Sequence, residues 1–250
     1  MSLSKMEVGL MDTLLEVRDI GISFGNNQVL RSLSFELGKN EILGIIGPNG
    51  AGKTVTLDIL TGILSPTQGK IFFRNIDITR KGVTERCRLG FGRTFQIPRP
   101  FEKMTVFENV IVGGMYAGQL SESSAKVRAM SVIAKTGLNE KKDLLAGKLS
   151  LLDRKRLEIA RALAGGPHVL LLDEVAGGLT ESEVEELLAI VQMVKAQGIS
   201  IVWIEHVLKT MREGTDRILC LAQGSNVICG LPAEVMRSRE VHEVYLGADD

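Results

Sequence analysis

The sequence predicts an α/β fold, with a parallel sheet core, an N-terminal antiparallel β subdomain and an inserted all-helical subdomain. Three observations indicate this. The apolar run 42–46 precedes a glycine-rich loop and a helical pattern, as expected of a buried parallel strand. Strand and helix patterns alternate again from residue 169 onward, and between 106 and 164 only helical spacing occurs. With 250 residues, 44% of them hydrophobic, the chain suits one well-buried domain.

The elements follow in order along the chain. Residues 14–37 alternate apolar and polar positions around a turn at 25–27, which is typical of short antiparallel strands. The helix after the glycine-rich loop leads to a turn at 65–69 and a strand at 70–78. The other predicted elements are helices near 106–116, 123–136 and 151–164, a strand at 169–172, a helix at 181–197, strands at 200–204, 217–221 and 226–229, and two short terminal helices.

We expect these elements to form one domain over residues 13–250. Its core comprises residues 13–98 and 165–250, and the helical subdomain comprises residues 99–164. Residues 1–12 lack the apolar segment of a secretory signal, so we expect a disordered tail or a remnant of expression there.

The composition argues against several classes of protein without excluding a local basic patch. Thirty Lys and Arg balance thirty Asp and Glu, so no net charge attracts nucleic acid or an anionic membrane. Cys87, Cys220 and Cys229 are odd in number and form no C-x-x-C pair, which indicates a reduced, cytosolic protein. The longest apolar stretches are far shorter than the roughly twenty residues that span a membrane.

One motif carries most of the functional information. The pattern G-x-x-x-x-G-K-[ST] lies between a strand and a helix, where its glycines let successive N–H groups face a phosphate and the helix adds its positive end. An ordinary glycine-rich turn does not need Lys-Thr at its end. Lys53 would reach the terminal phosphates, and the Thr54 hydroxyl would bind Mg²⁺. The motif consists of Gly47, Pro48, Asn49, Gly50, Ala51, Gly52, Lys53 and Thr54.

Two acids end the apolar run 169–172. A carboxylate at the end of a buried parallel strand can lie beside a phosphate loop, where Asp173 would orient the waters of Mg²⁺. Glu174 is placed to act as the general base on the attacking water. The alternative is that both acids simply end a strand in solvent.

Gln96 and His206 are weaker candidates. The Gln96 amide could bind the metal or hold the attacking water, although a lone glutamine is usually a surface group. His206 follows the apolar strand 201–204, so it leaves the sheet at the same edge as Asp173 and could bind the γ-phosphate. A single histidine is more often structural.

Taken together, these residues resemble the ATP-binding subunits of ABC transporters over nearly the whole chain. The resemblance implies a P-loop NTPase core of the RecA-like type that hydrolyses ATP with Mg²⁺. It implies that Phe24 stacks on adenine, that Gln96 and His206 act in the site, and that residues 178–181 contact a second subunit. It also implies membrane permease partners and a location on the cytoplasmic face of the cell membrane.

Among the subfamilies, the importers of branched-chain amino acids look most similar. This similarity rests on five stretches, and importers of urea or short amides share much of it. Such importers also work with a periplasmic or extracellular solute-binding protein, which this subunit would serve only indirectly. The stretches are residues 90–96, 105–110, 156–163, 204–206 and 245–247.

The chain departs from the family pattern at its signature, usually Leu-Ser-Gly-Gly-Gln, where it has Leu149, Ser150, Leu151, Leu152 and Asp153. Ser150 remains to contact the ATP of a partner subunit. Both glycines are replaced, and Asp153 adds a negative charge near an anion. The alternative is that the leucines merely pack. Val175 replaces the usual proline. We therefore expect an asymmetric dimer with a related but different subunit.

Three other classes of function stay open. A soluble ABC-type ATPase acting on DNA or ribosomes would usually carry coiled-coil inserts or duplicated cassettes. A GTPase would need Asn or Thr before Lys-x-Asp, and residues 140–143 fail at the first position. A non-enzymatic scaffold would follow if the altered signature abolished turnover.

Overall fold

The structure is a computed structural model that describes residues 13–246. The strands are β1 (Thr13–Phe24), β2 (Asn27–Gly38), β3 (Ile42–Ile46), β4 (Gln68–Phe73), β5 (Ile76–Asp77), β6 (Phe91–Arg93), β7 (Val169–Asp173), β8 (Ser200–Ile204), β9 (Arg217–Ala222) and β10 (Ser225–Gly230). The α-helices are α1 (Lys53–Thr61), α2 (Val83–Arg88), α3 (Val106–Val112), α4 (Glu122–Lys135), α5 (Leu151–Ala164), α6 (Glu181–Ala196), α7 (Leu208–Gly214), α8 (Pro232–Val235) and α9 (Arg239–Leu246).

All the strands in the described range join one sheet, in the order β5-β4-β1-β2-β10-β9-β3-β8-β7-β6. The pairs within β9-β3-β8-β7-β6 are parallel, and those joining β1 to β2, β1 to β4 and β4 to β5 are antiparallel. Neighbouring parallel strands carry their carboxyl ends to one edge. The loops after β3, β6, β7 and β8 therefore lie at that edge.

Strand β3 separates two hydrophobic clusters. Ile42 and Ile46 pack with residues of α3 to α6, whereas Leu43 and Ile45 pack with β1, β2 and α1. All four side chains are fully buried. Because side chains alternate across a strand, an entirely apolar run is what a strand buried on both faces requires. The strand predicted at 42–46 is thus confirmed.

The other predicted strands and helices are present in the structure, with four differences. The N-terminal strands are not short, since β1 and β2 each run for 12 residues. They pair as one antiparallel hairpin whose register shifts at several bulges or irregularities. The strand expected at 70–78 is broken at Arg74 and Asn75, which turn with φ of 50° and 62°. The first insert helix ends at Val112, and residues 113–117 continue as a π-helix.

The fourth difference is that α2, β6 and α7 escaped the sequence analysis. Each is at most seven residues long, too short to show a clear apolar period. The tail expected at residues 1–12 lies outside the described residues. Within residues 13–246, no helix has both the length and the apolar character needed to cross a membrane.

Candidate functional site

The carboxyl edge of the parallel strands gathers most of the predicted site residues. Strand β3 leads into the glycine-rich loop, β7 ends at Asp173, and β8 is followed by Glu205 and His206. Strand β6 leads to Gln96. The strand order β3-β8-β7-β6 makes these loops neighbours although the sequence separates them widely.

The glycine-rich loop has the backbone that a phosphate cradle needs. Gly50 and Gly52 have φ of 79° and 101°, which L side chains rarely adopt. At position 47, a Cβ would lie 2.0 Å from the Leu221 carbonyl oxygen, so only glycine fits there. Helix α1 begins directly after the loop, and its first N–H groups have no partner within the helix.

Lys53 is folded back onto this loop. Its Nζ donates to the carbonyl oxygens of Gly47 (2.7 Å) and Pro48 (3.0 Å), and the residue is only 7% exposed. Burial lowers the pKa of Lys53, while the carboxylates of Glu174 and Asp173 act against that shift. The ammonium is therefore held in the loop, facing the acidic strand end.

Asp173 is bound by a residue that the sequence analysis did not assign. Arg93 Nη2 lies 3.0 Å from Asp173 Oδ2, and its Nη1 lies 2.5 Å from Asp58 Oδ1 on α1. Burial raises the pKa of Asp173, and the Arg93 guanidinium counteracts it. Arg93 thus joins the helix of the phosphate loop to the strand end that carries Asp173.

Glu174 lies close to two other predicted site residues, Gln96 and His206. Gln96 Nε2 donates to its Oε2 at 2.5 Å, and His206 Nδ1 lies 3.7 Å from the same oxygen. Glu174 has a φ of 45°, unusual for a residue with a side chain. Such conformations cluster at functional sites. The structure therefore brings Glu174, Gln96 and His206 together.

The predicted metal ligands form an all-oxygen set. They are the Thr54 hydroxyl, an Asp173 carboxylate and the Gln96 amide oxygen, and such ligands suit Mg²⁺. Thr54 is exposed at the start of α1. No cluster of three His, Cys, Asp or Glu that could hold an ion occurs among residues 13–246.

Phe24 lies apart from this cluster. It ends β1 with 48% of its surface exposed, and its backbone pairs with Asn27. The strand that follows passes the phosphate loop, because a Cβ at Gly52 would lie 3.3 Å from the Val29 carbonyl oxygen. The exposed ring is thus available for stacking.

The altered signature begins α5. Ser150 caps this helix by accepting from the Asp153 amide at 3.2 Å, and its hydroxyl donates to Asp153 Oδ2 at 2.8 Å. Leu152 is buried, whereas Leu151 is 43% exposed. The packing alternative therefore fits Leu152, and Leu151 packs only in part, with its Cδ2 3.2 Å from where a Cβ at Gly178 would lie.

Asp153, expected to add a negative charge near an anion, has that charge paired inside the protein. It is 3% exposed, and its carboxylate binds Lys141 Nζ at 2.5 Å and Arg156 Nη1 at 3.5 Å. Burial acts to raise its pKa, but these cations and the Ser150 hydroxyl lower it overall. The charge is neutralised inside the helical region.

Three further residues at the site escaped the sequence analysis. Lys155 Nζ donates to the Glu174 carbonyl oxygen at 3.2 Å, and Glu205 Oε1 accepts from the Ala176 amide at 2.6 Å. Tyr245 Oη accepts from the Gly47 amide at 2.9 Å. Glu205 and Tyr245 stand within the stretches 204–206 and 245–247 quoted for the resemblance, but only the fold shows what they touch.

The comparisons with known proteins agree over most of the chain. Residues 30–177 match the family described as ABC transporter. A high-affinity branched-chain amino acid transport ATP-binding protein, LivG of Salmonella typhimurium, is 35% identical over 94% of this chain and 98% of its own length. A lipopolysaccharide export system ATP-binding protein, LptB of Acidithiobacillus ferridurans, is 32% identical over 95% of this chain and 98% of its own.

Solved structures extend this agreement to the fold. The crystal structure of the ADP conformation of an ATP-binding cassette of an ABC transporter superposes with a TM-score of 0.87. It is 29% identical, and the alignment covers 94% of this chain and 99% of that one. The predicted α/β fold is confirmed.

Proposed function

The chain belongs to the ABC transporter family of ATP-hydrolysing subunits, and we propose that it powers the import of branched-chain or related amino acids. The observation that carries the choice of solute is the 35% identity to LivG over nearly the full length of both chains. LptB, at 32%, makes lipopolysaccharide export the main competing function. Import of urea or short amides is a second alternative.

Catalysis in this proposal consists of positioning ATP and stabilising the charge of the transition state. Lys53 would exchange the carbonyl oxygens of Gly47 and Pro48 for the β- and γ-phosphates of ATP. Mg²⁺, when bound, would neutralise developing charge on those phosphates. Thr54, Asp173 and Gln96 are the residues proposed to hold it.

Glu174 is proposed as the general base on the attacking water. Its carboxylate already lies at the edge where the phosphate loop opens, with Gln96 and His206 beside it. Gln96 donates to Oε2 only, so the carboxylate keeps acceptor sites with which it could take a proton from water. His206, more than half exposed, would then bind the γ-phosphate.

We propose a nucleotide-sandwich dimer with a second, related ATP-binding subunit. Ser150 of this chain would face the partner's ATP, while the phosphate loop and Glu174 would act on its own. With leucines at positions 151 and 152, the partner's site would be the poorer one. In a reconstituted heterodimer, Glu174→Gln should therefore reduce turnover far more than the equivalent change in the partner. Equal losses would contradict the asymmetry.

We propose that the helical region spans residues 99–164. The membrane permease partners would contact the segment that links this region to the core. This link carries exposed apolar side chains, with Ile97 73% and Phe101 44% exposed. Exposed apolar groups of this kind favour protein contacts. Gln96 begins the link and touches Glu174, so motion at the membrane would reach the site.

Transport assays test the choice of solute. The chain is expressed with the permeases encoded beside it in cells lacking their own branched-chain amino acid ATPase, and uptake of labelled leucine is measured. We expect uptake that Lys53→Ala abolishes. Uptake of urea alone, or rescue of a lipopolysaccharide-export defect without leucine uptake, would overturn the proposal while leaving the ATPase intact. Neighbouring genes for two permeases, a solute-binding protein and a second ATPase would support import.

A further inference from the structure

The backbone around Glu174 is held on three sides. The Glu174 amide donates to the Ile204 carbonyl oxygen at 2.9 Å, and its own carbonyl oxygen accepts from Lys155 Nζ at 3.2 Å. Two residues on, the Ala176 amide donates to Glu205 Oε1 at 2.6 Å. In two of these three hydrogen bonds the partner is a charged side chain, Lys155 or Glu205, rather than a strand of the sheet.

Lys155 and Glu205 are charged groups in an unusual place. Lys155 is 3% exposed and Glu205 is fully buried. Burial lowers the pKa of Lys155, and the carboxylates of Glu205 and Glu174 act in the opposite direction. Charged residues are rarely buried this deeply unless they are paired, because each loses its hydration. Here each charge has a backbone hydrogen bond and the attraction of the other, so the fold keeps both beside the backbone of Glu174.

The held backbone is also strained. Glu174 has a φ of 45°, and a residue with a Cβ stays in that region only when its surroundings impose it. This conformation fixes the direction in which the Glu174 side chain leaves the strand. This carbonyl oxygen also accepts from the Gly177 amide at 3.4 Å, and the bond from Lys155 helps to hold the backbone from which the carboxylate projects, without any contact to the carboxylate itself.

We infer that Lys155, supported by Glu205, is a positioning residue that sets the orientation of Glu174 for hydrolysis. Lys155 lies on α5, the helix that Ser150 caps. Its bond to Glu174 therefore connects the signature helix of this chain to the proposed general base of the same chain. The inference rests on the proposed role of Glu174 as general base. It assigns Lys155 no contact with ATP.

Steady-state ATPase kinetics and calorimetric ATP binding test this. Lys155→Met alone removes the cation that attracts the buried Glu205 carboxylate and risks misfolding, so the main variant is Lys155→Met with Glu205→Gln, whose amide oxygen can still accept from Ala176. We expect kcat to fall about ten- to hundredfold, since small misplacements of a reacting group cost that much. The KM and Kd for ATP should change less than twofold. Lys155→Arg should recover most of kcat.

The matched control is Lys195→Met. Lys195 is likewise a lysine bound to an oxygen, since its Nζ lies 2.5 Å from Asp216 Oδ1, but Asp216 lies just before β9 at the opposite edge of the sheet. This variant should keep the wild-type kcat. An unchanged kcat in the folded double variant would overturn the inference, and so would a raised KM with kcat unchanged.

A double-mutant cycle separates the inference from the function on which it rests. In single-turnover measurements on a Glu174→Gln background, the Lys155 and Glu205 changes should cause no further loss. Additive losses would show that Lys155 acts on something other than Glu174, which would overturn the inference alone. A wild-type rate for Glu174→Gln itself would overturn the proposed role of Glu174, and the inference with it.

Discussion

Arg93 forms a two-sided ion pair in which Asp173 is one partner and Asp58 the other. The Arg93 and Asp173 side chains are 9% and 5% exposed, so the pair is shielded from water. It ties the proposed Mg²⁺ ligand on β7 to the helix that follows the phosphate loop. Two functional segments distant in sequence are thus held in one relative position by a single side chain.

Replacing Arg93 should therefore cost stability. Arg93→Met leaves two acids without their shared cation, and removing one member of a buried pair costs about 3–5 kcal/mol. Urea unfolding would measure this, with Arg18→Met as the exposed control that should leave the midpoint unchanged. A loss as small as that of the control would show that the pair holds nothing together.

Asp153 predicts a pH dependence of stability. Its pKa is lower in the folded protein than in the unfolded chain, so its contribution is present above the unfolded value of about 3.9 and is lost as pH falls through the folded value. The difference in unfolding free energy between wild type and Asp153→Asn should therefore be constant near neutral pH and shrink below about pH 4. A difference that grew on acidification would contradict the ion pairs with Lys141 and Arg156.

Tyr245 should support the phosphate loop. Tyr245→Phe keeps the ring but removes the oxygen that accepts from the Gly47 amide, a loss of about 1 kcal/mol for one hydrogen bond. We expect ATP affinity to fall several-fold in calorimetry. Tyr116→Phe, at a residue 78% exposed, is the matched control and should bind ATP as the wild type does. Equal affinities for both variants would mean that the bond does not shape the loop.

The two leucines of the signature should behave differently. Leu151→Gly removes a side chain that is 43% exposed at the start of α5. Turnover of the heterodimer should therefore rise if the γ-phosphate bound by the partner approaches the backbone of residue 151. Leu152→Gly empties a buried position and should cost about 3 kcal/mol or more of stability. Turnover that is unchanged or lower in folded Leu151→Gly would contradict the proposed effect of the altered signature.

Local patterns were enough to predict the main elements of the fold and one part of the site. An apolar strand, a glycine-rich loop and a helix are adjacent in sequence, so residues 42–61 could be assigned directly. The acids after β7 were found for the same reason, because a buried strand that ends in two carboxylates is itself unusual. Both predictions rest on neighbouring residues.

Contacts between distant segments could not be predicted in this way. Arg93 and Asp173 are 80 residues apart, and Gly47 and Tyr245 are 198 apart. Their contacts follow from the strand order and from where α9 packs. The ion pairing of Asp153 could not be predicted for the same reason, since its partner Lys141 lies in a separate turn of the helical region.

The most direct test is the rate at which purified protein with its partner subunit hydrolyses Mg-ATP when Glu174 is replaced by glutamine. General-base catalysis contributes about 100-fold or more, so the rate from this chain's own site should fall at least that far while calorimetry shows ATP still bound. Turnover at the wild-type rate with ATP bound would show that the edge of β7 does not perform the hydrolysis.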